Sequence, residues 1–313
     1  MPELPEVEVV RAGLAPAVTG ATVSSVEVLD ARALTRHDPA SGDFESLVTG
    51  ARIEAAVRRG KFLWLPLDGG RAIVGHLGMS GQILLRTPDH PGDDRHARLR
   101  LHLEHPANGE YRVDFVDQRT FGSLAVDRLV ATADGEIAGY SGDVTGEWAR
   151  SIPTQVAHIA RDPLDPAFSD VDVLAALARR ASGIKRVLLD QNVVSGVGNI
   201  YADEALWAVR LHGEQPARSV SKRRARELLG AVREVLGKAL AEGGTSFDAQ
   251  YVNVNGASGY FEHSLNAYGR AGLPCPRCGT PIVREPFMNR SSHRCPRCQR
   301  LNRAAIRRTS LGA

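Results

Sequence analysis

The residues with the plainest chemistry are four cysteines in one short window: Cys275-Pro-Arg-Cys278, sixteen residues, then Cys295-Pro-Arg-Cys298. Each CxxC lets one tight turn present two sulfurs to the same ion, and two such turns complete a tetrahedral thiolate cage. A closed four-sulfur cage leaves no position for substrate, so the cofactor implied is one structural Zn2+. A pair of redox dithiols is the competing use of these motifs. Metal binding contributes about 10–16 kcal/mol to a small module, enough to fold a hairpin with little core of its own. That hairpin carries Arg284, Arg290 and Arg294. Guanidinium groups on a metal-clipped frame suit phosphate or base contact. Zinc ribbons also serve as protein-interaction modules, and the ribbon alone does not separate the two.

A second candidate is the start of the chain, Met1-Pro2-Glu3. Loss of Met1 leaves a secondary amine with an unperturbed pKa of about 8, partly neutral at physiological pH. Such an amine can attack a sugar C1′ and form an iminium, the logic of a lysine Schiff base. With Met1 attached the nitrogen is an amide and cannot attack. A proline here is equally just a residue that tolerates methionine removal.

These groups need elements to hold them. The 313 residues leave room for two domains with cores. At 43% hydrophobic and 24% charged, the chain has a soluble protein's balance. No apolar run is long enough to span a membrane, and the start lacks a secretory pattern, so cytoplasmic localisation is expected. Charge is uneven. From Cys275 onward there are nine arginines and one acid, Glu285, about +8 against about −5 for the rest. A basic module on a mildly acidic body suits either an anionic polymer as partner or a solvated tail.

Residues 5–18 open with a proline and acids and read as a helix. Residues 21–130 read as short strands. The clearest is Ala97–His105, where Leu99, Leu101 and Leu103 alternate with polar residues. Further strands are expected at 21–29, 53–67, 73–77, 82–86 and 111–117, with turns at Gly69-Gly70 and Asn108-Gly109. Helices are expected at 171–181, 185–191, 200–209 and 221–242. Residues 244–272 read as a long irregular loop.

Taken together, MPELPEVE, His76–Gly81 (HLGMSG), Asp117–Gly122 (DQRTFG), Gly196–Glu204 (GVGNIYADE) and the ribbon ending Cys298-Gln299 resemble the formamidopyrimidine-DNA glycosylase family. The resemblance runs in order over nearly the whole chain. It implies an α+β multidomain fold: an N-terminal antiparallel β-sandwich with a flanking helix, a helix–two-turns–helix bundle, and a C-terminal zinc-ribbon β-hairpin. The expected divisions are 2–135, 145–243, a lesion-capping loop region at 244–268, the zinc finger at 269–303 and a tail at 304–313.

The function implied is base-excision repair. Oxidised purines such as 8-oxoguanine and formamidopyrimidines would be removed from double-stranded DNA, and the strand cut by β,δ-elimination. On this resemblance Pro2 is the nucleophile, Glu3 the proton donor beside it and Glu6 a supporting carboxylate. Lys61 assists elimination and contacts phosphate, and Arg290 serves δ-elimination and phosphate binding. Met79, Arg119 and Phe121 form the wedge that fills the space left by the everted nucleotide. His96, Asn199 and Lys185 grip backbone phosphates, with Arg180 as a further basic candidate. The stretch 252–260 closes over the everted base. A monomer is expected.

As residues alone, Glu3 and Glu6 also suit acids answering a helix dipole. Lys61 also suits a solvated charge, Met79 and Phe121 suit core, and Asn199 suits a helix cap. Two other functions stay in view: an endonuclease VIII-type glycosylase for oxidised pyrimidines, and a non-catalytic DNA-binding relative. Leu4 and HLGMSG favour the purine branch, whose sister carries glycine at the fourth position.

Overall fold

The computed structural model describes residues 2–91, 94–142, 145–244, 254 and 261–310, the side chains of 262, 263 and 307–310 excepted. The chain divides into two compact units. The first holds residues up to His158 together with the stretch 243–260, and the second holds Ile159–Glu242 and the chain from Phe261.

The first unit opens with α1 (Leu4–Val18), then β1 (Thr22–Val28) and the short α2 (Phe44–Val48). The strands β2 (Val57–Arg59), β3 (Phe62–Leu67), β4 (Arg71–His76), β5 (Gly81–Arg86), β6 (Ala97–His105), β7 (Gly109–Asp117), β8 (Ser123–Ala131) and β9 (Ser151–Pro153) follow. They form two antiparallel sheets, ordered β1-β6-β7-β5 and β2-β3-β4-β8-β9. Leu63, Leu65 and Ile73 of one sheet and Leu99, Leu101 and Phe115 of the other meet in one core, with Val7, Val10 and Leu14 of α1 packed into it. The alternation expected over Ala97–His105 is present: Leu99, Leu101 and Leu103 are buried and the residues between them are not. Alternate side chains leave a strand on opposite faces, so one face is apolar by construction.

The expected single strand over 53–67 is instead β2 and β3, paired Arg59↔Phe62 around Gly60-Lys61. Gly60 has φ +56, in the left-handed region that glycine enters without steric cost, and the chain reverses there. The sequence pattern does not predict β8. Only its first half is continuously buried, and Asp127 and Arg128 break the apolar run.

The second unit contains α3 (Asp170–Arg179), α4 (Ile184–Leu188), α5 (Asn199–Ala208) and α6 (Lys222–Ala241), then the hairpin β10 (Val283–Phe287) and β11 (Arg290–Arg294), then α7 (Arg303–Ser310). Ser169 and Ser221 cap α3 and α6, accepting from Asp172 N and Arg224 N. No described helix is long and apolar enough to cross a membrane. The tail beyond the hairpin, expected only as an extension, forms α7.

Candidate functional site

Pro2 is buried at the start of α1. Glu3 is the N-cap residue, with extended backbone, and its N–H donates to Glu6 Oε2 at 2.8 Å. Acids at a helix N-terminus are favoured by the positive end of the dipole, yet here both are only 2% exposed. Two carboxylates withdrawn from water thus stand next to Pro2 in sequence, at the start of the helix. Gly244 comes close to this pair: a Cβ there would lie 3.1 Å from Glu6 Oε1.

One turn further, buried Glu8 accepts from Arg11 at 2.8 Å and from Arg58 Nε at 2.9 Å. Arg11 also donates to the Ser141 carbonyl at 2.9 Å. Arg58 lies on β2, two residues before the turn that carries Lys61. The ion cluster therefore braces the start of α1 against the β2–β3 turn. Breaking a buried pair by removing one partner is costly, about 3–5 kcal/mol. Sequence reading missed this cluster, although Glu8 and Arg11, three apart in a largely apolar helix, were its signal.

Lys61 is partly buried. Its surroundings are cationic. The His76 imidazole drops to about 4, chiefly through burial and then through the charges of Arg36 and Lys61. His76 is therefore neutral at physiological pH, and Arg36 and Lys61 carry the positive charge there.

Met79 is 38% and Phe121 57% exposed, so neither is a core residue. Arg119 stacks on the Phe121 ring, 5.1 Å from guanidinium to centroid. The two loops that carry them are held by Asp117, which is fully buried. Its carboxylate accepts from Ser80 Oγ at 2.5 Å, from Arg119 N at 3.2 Å and from Gly122 N at 2.7 Å. Thr120 sits at φ +56. Gly78 has room for no side chain, since a Cβ would lie 2.4 Å from the Phe121 carbonyl carbon. Two apolar tips and a stacked arginine thus stand on a rigid base. His96 is half-buried, and its Nε2 accepts from Arg95 at 3.1 Å.

In the second unit the organising group is Asp203 of α5, 1% exposed. It accepts from Ser292 Oγ at 2.8 Å and His293 N at 2.7 Å, which ties β11 to the helix. Asn199 adds a third tie, donating to the Ser291 carbonyl at 2.8 Å. Gly198, not Asn199, occupies the N-cap of α5, so the cap reading of Asn199 does not hold. Arg290 stands exposed at the start of β11, beside a turn in which Met288 has φ +52. Arg284 is exposed, while Arg294 is paired with Glu285 at 2.5 Å.

Lys185 lies deeper than a surface contact would. The family resemblance groups it with the phosphate contacts, but its side chain is fully buried, with Nζ 2.6 Å from Asp203 and 4.5 Å from the Phe287 ring centroid. A cation already paired and desolvated is a strut between α4, α5 and the hairpin. Arg180 is half-exposed and lies 3.4 Å from Asp190.

The four cysteine sulfurs lie within 4.8 Å of one another, with Cys278–Cys295 and Cys278–Cys298 separations of 3.5 Å. Tetrahedral zinc with bonds of about 2.3 Å requires sulfurs about 3.8 Å apart, so the donor set fits. Supports surround the cage. Trp207 donates to Cys275 Sγ at 3.4 Å, and Gln299 links Cys295 N to the Leu211 carbonyl at 2.8 and 3.0 Å. Glu204, which carried no role on sequence, accepts the N–H groups of Asn266, Ala267 and Tyr268 at 2.8–2.9 Å. It fixes the chain that enters the ribbon. Met1 and the stretch expected to close over the lesion, save Val254, lie outside the described residues.

Three family models match in order: the formamidopyrimidine-DNA glycosylase N-terminal domain over 1–124, the H2TH domain of that glycosylase over 159–250, and the zinc finger found in FPG and IleRS over 272–301. A formamidopyrimidine-DNA glycosylase of Leifsonia xyli is 65% identical over 96% of this chain and 100% of its own length. One from Thermobifida fusca is 55% identical over 96% and 97%. Among solved structures, the MutM (Fpg) protein of Thermus thermophilus superposes with a TM-score of 0.75 at 37% identity, covering 96% of this chain and 100% of its own. The Lactococcus lactis Fpg complex with abasic-site DNA does so with a TM-score of 0.76 at 27% identity, covering 95% and 99%.

Proposed function

The chain belongs to the formamidopyrimidine-DNA glycosylase family, and from that premise we propose how this base-excision-repair DNA glycosylase selects its lesion and cuts the strand. The substrate class is oxidised purines, 8-oxoguanine and formamidopyrimidines, in double-stranded DNA. The reading is supported most by one observation: Glu3 and Glu6 are buried together beside Pro2, at a helix start that Glu8 and Arg58 brace against the Lys61 turn.

Once Met1 is removed, the neutral Pro2 nitrogen attacks C1′ of the everted nucleotide. The C1′–base bond breaks, and Glu3 delivers a proton toward the leaving side. The amine then passes its own proton to Glu3, and its lone pair forms an iminium as the C1′–O4′ bond breaks and O4′ takes up that proton; the iminium acidifies the 2′ hydrogens. Loss of that proton expels the 3′ phosphate (β-elimination), and a second elimination expels the 5′ phosphate. Lys61 and Arg290 act as cations on the phosphates, and each lowers the cost of the charge that develops as a phosphate leaves. Glu6 holds the Glu3 backbone. Met79 and Phe121 enter the stack while Arg119 meets the orphaned base. His96 and Asn199 contact the backbone, with Arg180 a lesser partner. Lys185 acts behind them, through Asp203.

The zinc ion holds the hairpin that presents Arg290. It supplies fold and no reactive position.

Paired duplexes test the substrate class. The purine reading expects excision from 8-oxoguanine opposite cytosine to outpace excision from thymine glycol. Faster release of thymine glycol would assign the chain to the pyrimidine-directed branch.

A further inference from the structure

We propose that a pocket at the C-terminal end of α5 is a second phosphate-binding site, which takes the backbone of a nucleic-acid strand outside the lesion contacts. The pocket encloses about 480 Å3 and is lined by Arg210, Arg218, Arg224 and Arg300, with Ser219 and Asn302 among the polar neighbours. No carboxylate lines it among the described residues. Arg224 is paired with Glu227 and the Val209 carbonyl. Arg210, Arg218 and Arg300 are exposed. Like charges gathered around one hollow repel, and a bound anion relieves that repulsion.

Arg210 has φ +55 because it is the left-handed residue that closes α5: its N–H donates to the Trp207 carbonyl at 3.1 Å and the Leu211 N–H to the Leu206 carbonyl at 2.9 Å. Glycine is the usual residue at this position of a helix cap, and here the cap carries a guanidinium to the rim of the pocket instead.

The segment beyond the zinc cage completes the pocket. Asn302 N donates to the buried Gln215 Oε1 at 2.8 Å, which seats the chain and brings Arg300 to the rim. α7 packs on the turn Ala217–Ser219. The family models end at residue 301, so α7 belongs to none of them. The α5 helix of 10 residues spans about 15 Å, which sets this pocket apart from the Asn199 end of the same helix. An open hollow rimmed by exposed arginines suits phosphates repeated along a strand better than one enclosed small anion. The proposal rests on the glycosylase reading for its choice of DNA.

The test is the salt dependence of binding to a long undamaged duplex, beside single-turnover excision from a short duplex centred on 8-oxoguanine. Removing one arginine–phosphate pair lowers the slope of log K against log salt by about 0.9. Arg210→Glu/Arg218→Glu should lower that slope by about 2 and leave short-duplex excision unchanged. Arg210→Gly, which removes the charge and suits the left-handed backbone, should melt no lower than the parent and lower the slope by about 1. Slopes equal to the parent's in both variants would overturn the proposal. So would inorganic pyrophosphate that binds at these arginines and is not displaced by duplex, which would assign the pocket to a free anion. A parent that fails to excise from the short duplex would count against the glycosylase reading, whereas the slope speaks to the pocket alone.

Discussion

At the scale of residues, the decisive charges are placed where water is scarce. Asp117 accepts from two backbone N–H groups and one hydroxyl and is fully buried. Asp117→Ala would leave those donors unsatisfied at a cost of roughly 2–4 kcal/mol. It should also slow 8-oxoguanine excision more than it weakens binding to undamaged duplex. Equal reductions in gel shift and excision would show that the wedge loops do not need this base. His76 gives a pH signature. Its folded pKa of about 4 lies below the ordinary 6.5, so the unfolded chain takes up the proton first. The associated stability is complete above pH 6.5 and is lost as pH falls toward 4, by up to about 3 kcal/mol. Denaturant titrations at pH 7 and 4.5 should show a smaller acid loss for His76→Gln than for the parent. An identical loss would mean that other groups carry it. The cysteine cluster was legible in the sequence because its chemistry is local. The burial of Lys185 was not, because it depends on Asp203 and Phe287, far from it in sequence.

At the scale of elements, one hairpin is built by a metal and aimed by a helix. The cage fixes β10 and β11, while Asn199 and Asp203 of α5 fix where β11 lies. Cys295→Ala should release zinc, detectable with a chromogenic chelator, and abolish duplex binding. The sandwich, followed by the fluorescence of Trp64 and Trp148 with Trp207 replaced by phenylalanine in both proteins, should keep its unfolding midpoint. Unchanged duplex affinity would remove the hairpin from the binding surface. Elements were legible where pattern and burial agree, as in Ala97–His105. They were obscured where one glycine redirects the chain, as Gly60 does between β2 and β3, or where polar residues interrupt a strand, as in β8. α7 had no apolar stripe strong enough to announce a helix.

At the scale of the whole molecule, the proposed function divides chemistry and grip between different stretches of chain. Pro2, Glu3, Glu6, Met79, Arg119 and Phe121 belong to the first unit, and the zinc hairpin with most of the excess positive charge belongs to the second. Neither unit alone holds all the groups that the proposed reaction needs. Whether they act together on one nucleotide is answered most directly by borohydride trapping on an 8-oxoguanine duplex, with mass spectrometry of the linked peptide. A covalent adduct is expected on the nitrogen of Pro2, absent from Pro2→Gly and from protein that retains Met1. An adduct of equal yield on a lysine, or none from chain with a free proline terminus, would contradict it.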